Sequence, residues 1–301
     1  MKLRGVIPPM LTPAADDGMT VDRDKLGKLV SFLIEGGVNG LFTGASAGET
    51  FMLDRTQRQI AFETVVTSAA GRVPVVAGIS AFSTADALQY ARDAEAAGAS
   101  YVIGLAPGLF PMSEDEIIYH FATIAGKINI PMLMYNFPEV TGGKKITPRI
   151  LGELTRKHRV VGIKDSSGEI GNTRAYRREC GDAVSLIMGA DRLISAHLML
   201  GGDGFMCSGI NMAPKAHAAL YVASLAGDSA RMIAIQDAVA PLVDICLTGT
   251  FPAAVKSCMA SQGMPVGPPF LPVLPATDAQ SARAKQLLDQ VQAAVRDLGI
   301  N

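Results

Sequence analysis

The strongest constraint on the fold is a repeat: short apolar, β-branched runs alternate with longer stretches whose apolar residues recur at helical spacing. Strand-like runs fall at residues 5–11, 38–43, 73–78, 101–105, 131–135, 160–164, 184–188 and 204–207. Helical stretches lie between them. In residues 22–35, Leu26, Leu29, Val30 and Leu33 form one apolar stripe that Gly36-Gly37 stops. Further helices are expected at residues 54–70, 84–97 and 113–126, the last with Ser113 as N-cap and Glu116 three residues on. Eight strand–helix alternations in a chain of 301 residues predict a (β/α)8 TIM barrel.

After residue 226 the pattern changes. Residues 228–247 read as helix with no strand behind them, and residues 263–275 carry Pro265, Pro268, Pro269, Pro272 and Pro275. Residues 278–298 form a last helix with Ala282, Leu287, Leu288, Val291 and Val295 on its apolar face. The expected organisation is a (β/α)8 catalytic barrel over residues 1–226 and a C-terminal helical region over residues 227–301, packed on it without a flexible linker.

Composition narrows the partners. A formal net charge of −1 and the lack of a basic run argue against nucleic acid or an anionic membrane surface. No apolar run reaches spanning length, and Met1-Lys2-Leu3-Arg4 leads straight into a strand-like segment without the apolar core of a signal peptide. The expectation is a cytoplasmic protein acting on a small molecule. Cys180, Cys207, Cys246 and Cys258 are scattered, with no C-x-x-C pair to suggest a disulfide framework or a zinc site. His120, His158, His197 and His217 form no ligand spacing, so no metal is expected.

In such a barrel the chemistry sits where strands end and the following loops begin. The run Val160-Val161-Gly162-Ile163 ends on Lys164. A buried ammonium is costly unless it is paired or gives up its proton, and a lysine that gives up its proton is a nucleophile toward carbonyl carbon. The neighbouring strand ends in Tyr135-Asn136-Phe137-Pro138, so Tyr135 and Lys164 should point into one mouth. The loop after the second strand, Gly44-Ala45-Ser46-Ala47-Gly48-Glu49, offers glycines that let backbone N–H groups approach a ligand, with a hydroxyl between them. Alone, each has an ordinary structural explanation: a solvated strand-end lysine, a packing tyrosine, a plain turn. Together, at matching ends of one barrel, they form a coherent site.

These motifs resemble those of the pyruvate-dependent Schiff-base lyases of the dihydrodipicolinate synthase and N-acetylneuraminate lyase family, which also contains 2-keto-3-deoxy sugar acid aldolases and dehydratases. The resemblance rests on Ala45-Ser46-Ala47-Gly48-Glu49, Tyr135-Asn136-Phe137-Pro138 and Gly162-Ile163-Lys164. It extends to Leu200-Gly201-Gly202-Asp203-Gly204 and Pro252-Ala253-Ala254-Val255-Lys256, and so covers nearly the whole chain. It implies that Lys164 condenses with the keto carbon, that Tyr135 carries the proton beside it, and that Ser46 and nearby N–H groups hold the carboxylate. The covalent lysine adduct then takes the place of a cofactor. Lys256 is the rival nucleophile, its helical context favouring a structural or ion-pairing role, while Lys144 and Lys145 are expected in an exposed loop. The resemblance also implies a homotetramer built as a dimer of dimers.

The departures from the family pattern bear on the substrate. Family members usually carry a second threonine where this chain has Ala47. In the synthase branch, a tyrosine of the loop after strand four crosses a dimer interface as part of a proton relay; here Leu109 stands in that loop and cannot relay a proton. The arginine with which that branch binds its amino-aldehyde is replaced by Val140. Gly189-Ala190-Asp191-Arg192 is similar to the sugar-binding Gly-x-Asp-Glu of the neuraminate lyases, with Arg192 in place of glutamate, and Ser208 falls where those lyases have a hydroxyl-binding serine. Two plainer readings stay open: Asp191 as the cap of the following helix and Arg192 as a solvated side chain. The resulting expectation is a class I lyase acting on a 2-keto acid, by aldol cleavage, condensation or dehydration of a 2-keto-3-deoxy sugar acid. Ser46, Ala47, Gly189, Asp191, Arg192 and Ser208 are its expected substrate-binding residues. Dihydrodipicolinate synthase activity, condensing pyruvate with aspartate semialdehyde, is the alternative; a non-catalytic keto-acid-binding barrel is the alternative of another class.

Overall fold

The computed structural model of the chain describes residues 2–300, so Met1 and Asn301, the outermost residues of the two expected regions, lie outside it. Eight strands form one parallel sheet: β1 (Gly5–Val6), β2 (Leu41–Thr43), β3 (Val75–Gly78), β4 (Tyr101–Leu105), β5 (Met132–Asn136), β6 (Val160–Asp165), β7 (Ser185–Met188) and β8 (Gly204–Phe205). Their order is β1-β8-β7-β6-β5-β4-β3-β2. Hydrogen bonds from Asn39 N to Val6 O, Phe42 N to Pro8 O and Met10 N to Phe42 O close the ring between its two ends. The first strand is shorter than residues 5–11 suggest because Pro8 and Pro9 have no N–H to give the ladder.

One helix follows each strand: α1 (Arg23–Glu35), α2 (Arg55–Ala69), α3 (Thr84–Ala96), α4 (Glu114–Ala125), α5 (Pro148–Lys157), α6 (Gly171–Cys180), α7 (Ile194–Met199) and α8 (Pro214–Leu225). Side chains of Asp22, Asp54, Ser83, Ser113 and Thr147 cap five of them, and Ser113 with Glu116 forms the expected reciprocal box. Alternate residues along the strands separate two environments. Phe42, Ile103, Leu133, Tyr135, Ile187 and Met206 pack with one another, whereas Val102, Met132 and Met134 pack with residues of the surrounding helices. The first set therefore fills the barrel interior.

Beyond α8 lie α9 (Ser229–Val239), α10 (Pro241–Cys246), α11 (Ala253–Ser261) and α12 (Asp278–Asp297). Residues 228–247, expected as one helix, are two, because Pro241 lacks the N–H that would continue α9. These helices share a core with the barrel: Ile235, Leu242, Met259 and Leu288 join Leu29, Val30 and Leu220. Among the described residues no helix is long and apolar enough to cross a membrane. All four cysteines are free.

Candidate active site

The C-terminal ends of β5 and β6 set the centre of the site. Tyr135 and Lys164 are register partners, as are Asn136 and Asp165. Earlier in this pair Met132 faces Val160 but Leu133 faces Gly162, so β6 carries one extra residue. Val160 and Ile163, three positions apart, therefore both pack outward, and Lys164 turns inward beside Tyr135. Lys164 is 3% exposed, with Nζ 4.1 Å from the centre of the Tyr135 ring and 5.3 Å from that of Phe42. Among the described residues this Nζ makes no hydrogen bond and no ion pair.

The residues that follow hold the two strand ends together. Asn136 Nδ2 donates to Asp165 Oδ1 at 2.9 Å, and Asn136 Oδ1 accepts from Ile146 N at 2.9 Å. Asp165 also accepts from Ser167 N and Asn172 Nδ2, both at 3.0 Å. Tyr176 of α6 accepts from Asn136 Nδ2 and donates to Ile146 O. Burial, and then the charges of Asp165 and Glu169, push its phenol well above the ordinary tyrosine range, so it stays a donor. A buried network with its groups satisfied is rigid, and this one sits directly behind Tyr135 and Lys164. Gly189, at the end of β7, leaves room for the lysine: a Cβ there would lie 2.9 Å from Lys164 Cε and 1.9 Å from Ser166 Oγ.

The loop after β2 is a tight turn. Gly48 N and Thr50 N donate to Ala45 O, and Glu49 N donates to Ser46 O. The N–H groups of Ser46 and Ala47 and the Ser46 hydroxyl make no hydrogen bond among the described residues, a set of donors suited to a carboxylate. Ser46 is partly exposed, while Ala45, Ala47, Gly48 and Glu49 are buried. Behind the turn, Glu49 meets Lys256 of α11 in an ion pair at 2.6 Å.

Asp191 does not cap the helix after it. Its Oδ1 accepts from Gly209 N at 3.0 Å, and burial raises its carboxyl above the ordinary range against the pull of that N–H, of His217 and of Lys164. Ser208 opens a short turn (Ser208–Asn211), and its hydroxyl is free of hydrogen bonds among the described residues. Arg192, expected beside the substrate, pairs with Asp244 of α10 at 3.1 Å, with 64% and 54% of the two side chains exposed. Lys144, expected in an exposed loop, is half-buried and donates to Gly108 O at 3.0 Å and Thr141 O at 2.9 Å, tying the β4 and β5 loops together. Lys145 is exposed and pairs with Glu169.

One side of the mouth is apolar. A cavity of about 170 Å3 opens between Phe51, Phe82, Leu105 and Val140, and the β4–α4 loop that borders it through Gly108 carries the exposed Leu109 and Phe110. The buried histidines have partners of their own: His120 bonds Thr84 Oγ1, His197 bonds Thr173 Oγ1 and Leu186 O, and His217 bonds Ala213 O. Among the described residues no group of three or more His, Cys, Asp or Glu side chains could hold a metal ion. Sequence reasoning singled out neither the Asn136–Asp165–Tyr176 network nor the partner of Lys256. The one available signal was Asn136 and Asp165 standing at equal positions after Tyr135 and Lys164.

Known proteins agree with this geometry. The sequence model of the dihydrodipicolinate synthetase family matches residues 2–291. The chain is 33% identical over 297 residues to a 4-hydroxy-tetrahydrodipicolinate synthase of Phenylobacterium zucineum, a match covering 99% of this chain and 98% of that one. It is 30% identical over 293 residues to YjhH of Escherichia coli, a probable 2-dehydro-3-deoxy-D-pentonate aldolase, with 95% and 97% covered. The solved structure of YagE, an Escherichia coli protein of the dihydrodipicolinic acid synthase family in complex with pyruvate, superposes with a TM-score of 0.92 at 26% identity, over 96% of this chain and 99% of that one. Relatives named for two different reactions, each matched along almost its full length, leave the second substrate open but not the class: the chain belongs to the dihydrodipicolinate synthetase family and is an enzyme of the pyruvate-dependent class I lyases.

Proposed function

We propose that the chain is a Schiff-base lyase for a 2-keto-3-deoxy sugar acid, releasing or condensing pyruvate by aldol chemistry or eliminating water. The observation that carries this reading is Lys164: a buried amine with no polar partner among the described residues, 4.1 Å from the Tyr135 ring centre at the barrel mouth. In this reading Nζ adds to the keto carbon and water leaves as the iminium forms. In the aldol direction of release the bond one carbon out from the iminium carbon breaks, its electron pair passing toward the iminium nitrogen to leave an enamine, which is protonated on carbon and hydrolysed to pyruvate. Tyr135 takes the proton of the hydroxyl that becomes the aldehyde carbonyl in cleavage, or protonates the hydroxyl that leaves as water in dehydration. Ser46 and the N–H groups of Ser46 and Ala47 hold the carboxylate, and Gly189, Asp191 and Ser208 face the remaining hydroxyls. The iminium is the electron sink, so the reaction calls for neither a metal nor another cofactor.

The choice of a sugar acid over aspartate semialdehyde rests on Val140. That side of the mouth is lined by Phe51, Phe82 and Leu105, and the Lys144 ammonium of the same loop is committed to two carbonyls. The carboxylate of an amino-aldehyde would meet an apolar wall there, losing a charge-assisted pair. Condensation of pyruvate with aspartate semialdehyde remains the second reading, favoured by the synthase relative at 33% identity. A panel of 2-keto-3-deoxy acids, assayed for pyruvate release and for dehydration beside the synthase reaction, separates the two. We expect higher kcat/KM on a hydroxylated keto acid; efficient synthase turnover with none on the panel overturns the choice, and no turnover of any substrate leaves a binding barrel.

The same reading takes the protein as cytoplasmic, with neither nucleic acid nor membrane as partner, and as a homotetramer built from dimers. The exposed Phe51, Phe82, Leu109 and Phe110 support burial of the apolar side of the mouth between copies. Light scattering on the purified protein tests the assembly.

A further inference from the structure

We infer that the buried pair Glu49–Lys256 is a positioning device, through which the C-terminal region sets the shape of the loop that holds the substrate carboxylate. This rests on the reading of the Ser46 loop as the carboxylate site.

The pair is closed to solvent, at 3% and 2% side-chain exposure, and its hydrogen bonds reach two further segments of the chain. Lys256 Nζ lies 2.6 Å from Glu49 Oε2 as an ion pair and donates hydrogen bonds to Thr12 O at 3.0 Å and Pro268 O at 2.8 Å. Glu49 Oε1 accepts from Phe270 N at 2.7 Å. One ammonium and one carboxylate thus join α11, the proline-rich segment and the chain after β1 at the residue that closes the turn. Burial raises the Glu49 carboxyl and lowers the Lys256 ammonium, each opposed by the charge of the other.

The turn depends on that anchorage. Glu49 holds a left-handed backbone, φ 56° and ψ 34°, a conformation that non-glycine residues keep only where the surroundings impose it. Its N–H closes on Ser46 O. Gly48 runs so close to the first strand segment that a Cβ there would lie 2.8 Å from both Met10 O and Thr12 Oγ1. With Glu49 pulled from behind and Gly48 pressed from the side, Ser46 is left as the partly exposed residue of the turn. A buried ion pair is weak as a source of stability, since apolar residues of like volume often replace one at no loss. Its defined geometry is what an apolar pair would not reproduce.

The test is the double variant Glu49→Gln/Lys256→Met in the full-length enzyme, which removes both charges without stranding one. Active sites are counted by borohydride trapping with saturating pyruvate, so that kcat is read per competent site. We expect KM for the keto acid to rise roughly tenfold or more, with kcat per site within about threefold of the parent. An unchanged KM overturns the inference, as does a loss confined to melting temperature and to the number of competent sites. If the double variant does not fold, Glu49→Gln alone keeps the Phe270 bond and gives the same readout: a several-fold rise in KM supports the inference and no rise overturns it. Ser46→Ala separates this from the reading beneath it. A KM raised by Ser46→Ala but not by the pair variants sinks only the inference, whereas a KM unmoved by Ser46→Ala sinks the carboxylate site and the inference with it.

Discussion

Lys164 and Lys256 are 3% and 2% exposed, yet their nitrogens stand in opposite surroundings. Lys256, in α11, is ion-paired with a carboxylate and donates to two carbonyls. Lys164, at the end of β6, has two aromatic rings and no polar partner among the described residues. Burial alone therefore does not mark a nucleophile. An amine saturated with acceptors is held as a cation in one place; an amine left without them has a nitrogen free to meet a carbonyl carbon. The ring beside Lys256, 5.1 Å away, is that of Phe270, which carries no hydroxyl, whereas the nearer ring beside Lys164, at 4.1 Å, is the phenol of Tyr135.

Removing that hydroxyl is the largest test of the contrast. Tyr135→Phe keeps the ring beside Lys164 and is expected to lower kcat by roughly 10²–10⁴-fold, with trapping of pyruvate retained, as steady-state kinetics on the best substrate will show. A loss under about tenfold contradicts its role as proton carrier. On the Lys256 side the expected effect is on stability. Lys256→Met leaves Glu49 buried without its cation, at a cost of about 3–5 kcal/mol in urea unfolding. Lys164→Met strands no partner and should cost far less; equal losses would erase the distinction between the two lysines.

His120 calibrates how this interior treats a base with no counter-ion. It is 3% exposed, bonds only the Thr84 hydroxyl among the described residues, at 2.9 Å, and is pushed by burial to a pKa of about 4. The unfolded chain takes up that proton near pH 6.5 and the native state only near 4, so the contribution to stability is complete above pH 6.5 and is lost as pH falls toward 4. Between pH 7 and pH 5 this group should account for a loss of about 2 kcal/mol. His120→Asn keeps a hydrogen-bonding group at the site without the titration, and its stability should fall less over the same interval. Parallel curves for parent and variant contradict the assignment.

How far each lysine could be read from the sequence differs in the same way. Tyr135 and Lys164 stand out because strand-and-helix periodicity locates strand ends, and the barrel sends strand ends to one mouth. The direction of Lys164 is another matter. Strict alternation from the outward Val160 would turn Lys164 outward too, and the extra residue that reverses it is a property of pairing with β5, invisible along one strand. Lys256 reads as structural from its helical setting, but its partners come from distant parts of the chain, brought together only by folding. The pairing of Arg192 with Asp244 is not legible for a local reason: Arg192 sits in a one-turn segment, Asp191–Leu193, whose orientation no periodicity predicts. Pro241, by contrast, marks the break between α9 and α10 in the sequence itself.

The central claim, that Lys164 and not Lys256 is the nucleophile, is tested most directly by reductive trapping. The protein is incubated with pyruvate and sodium borohydride, digested, and the adduct is located by mass spectrometry. One reduced adduct on the peptide containing Lys164 is predicted, lost in a folded Lys164→Ala variant and retained in Glu49→Gln/Lys256→Met. An adduct on Lys256, or none at saturating pyruvate, contradicts the account.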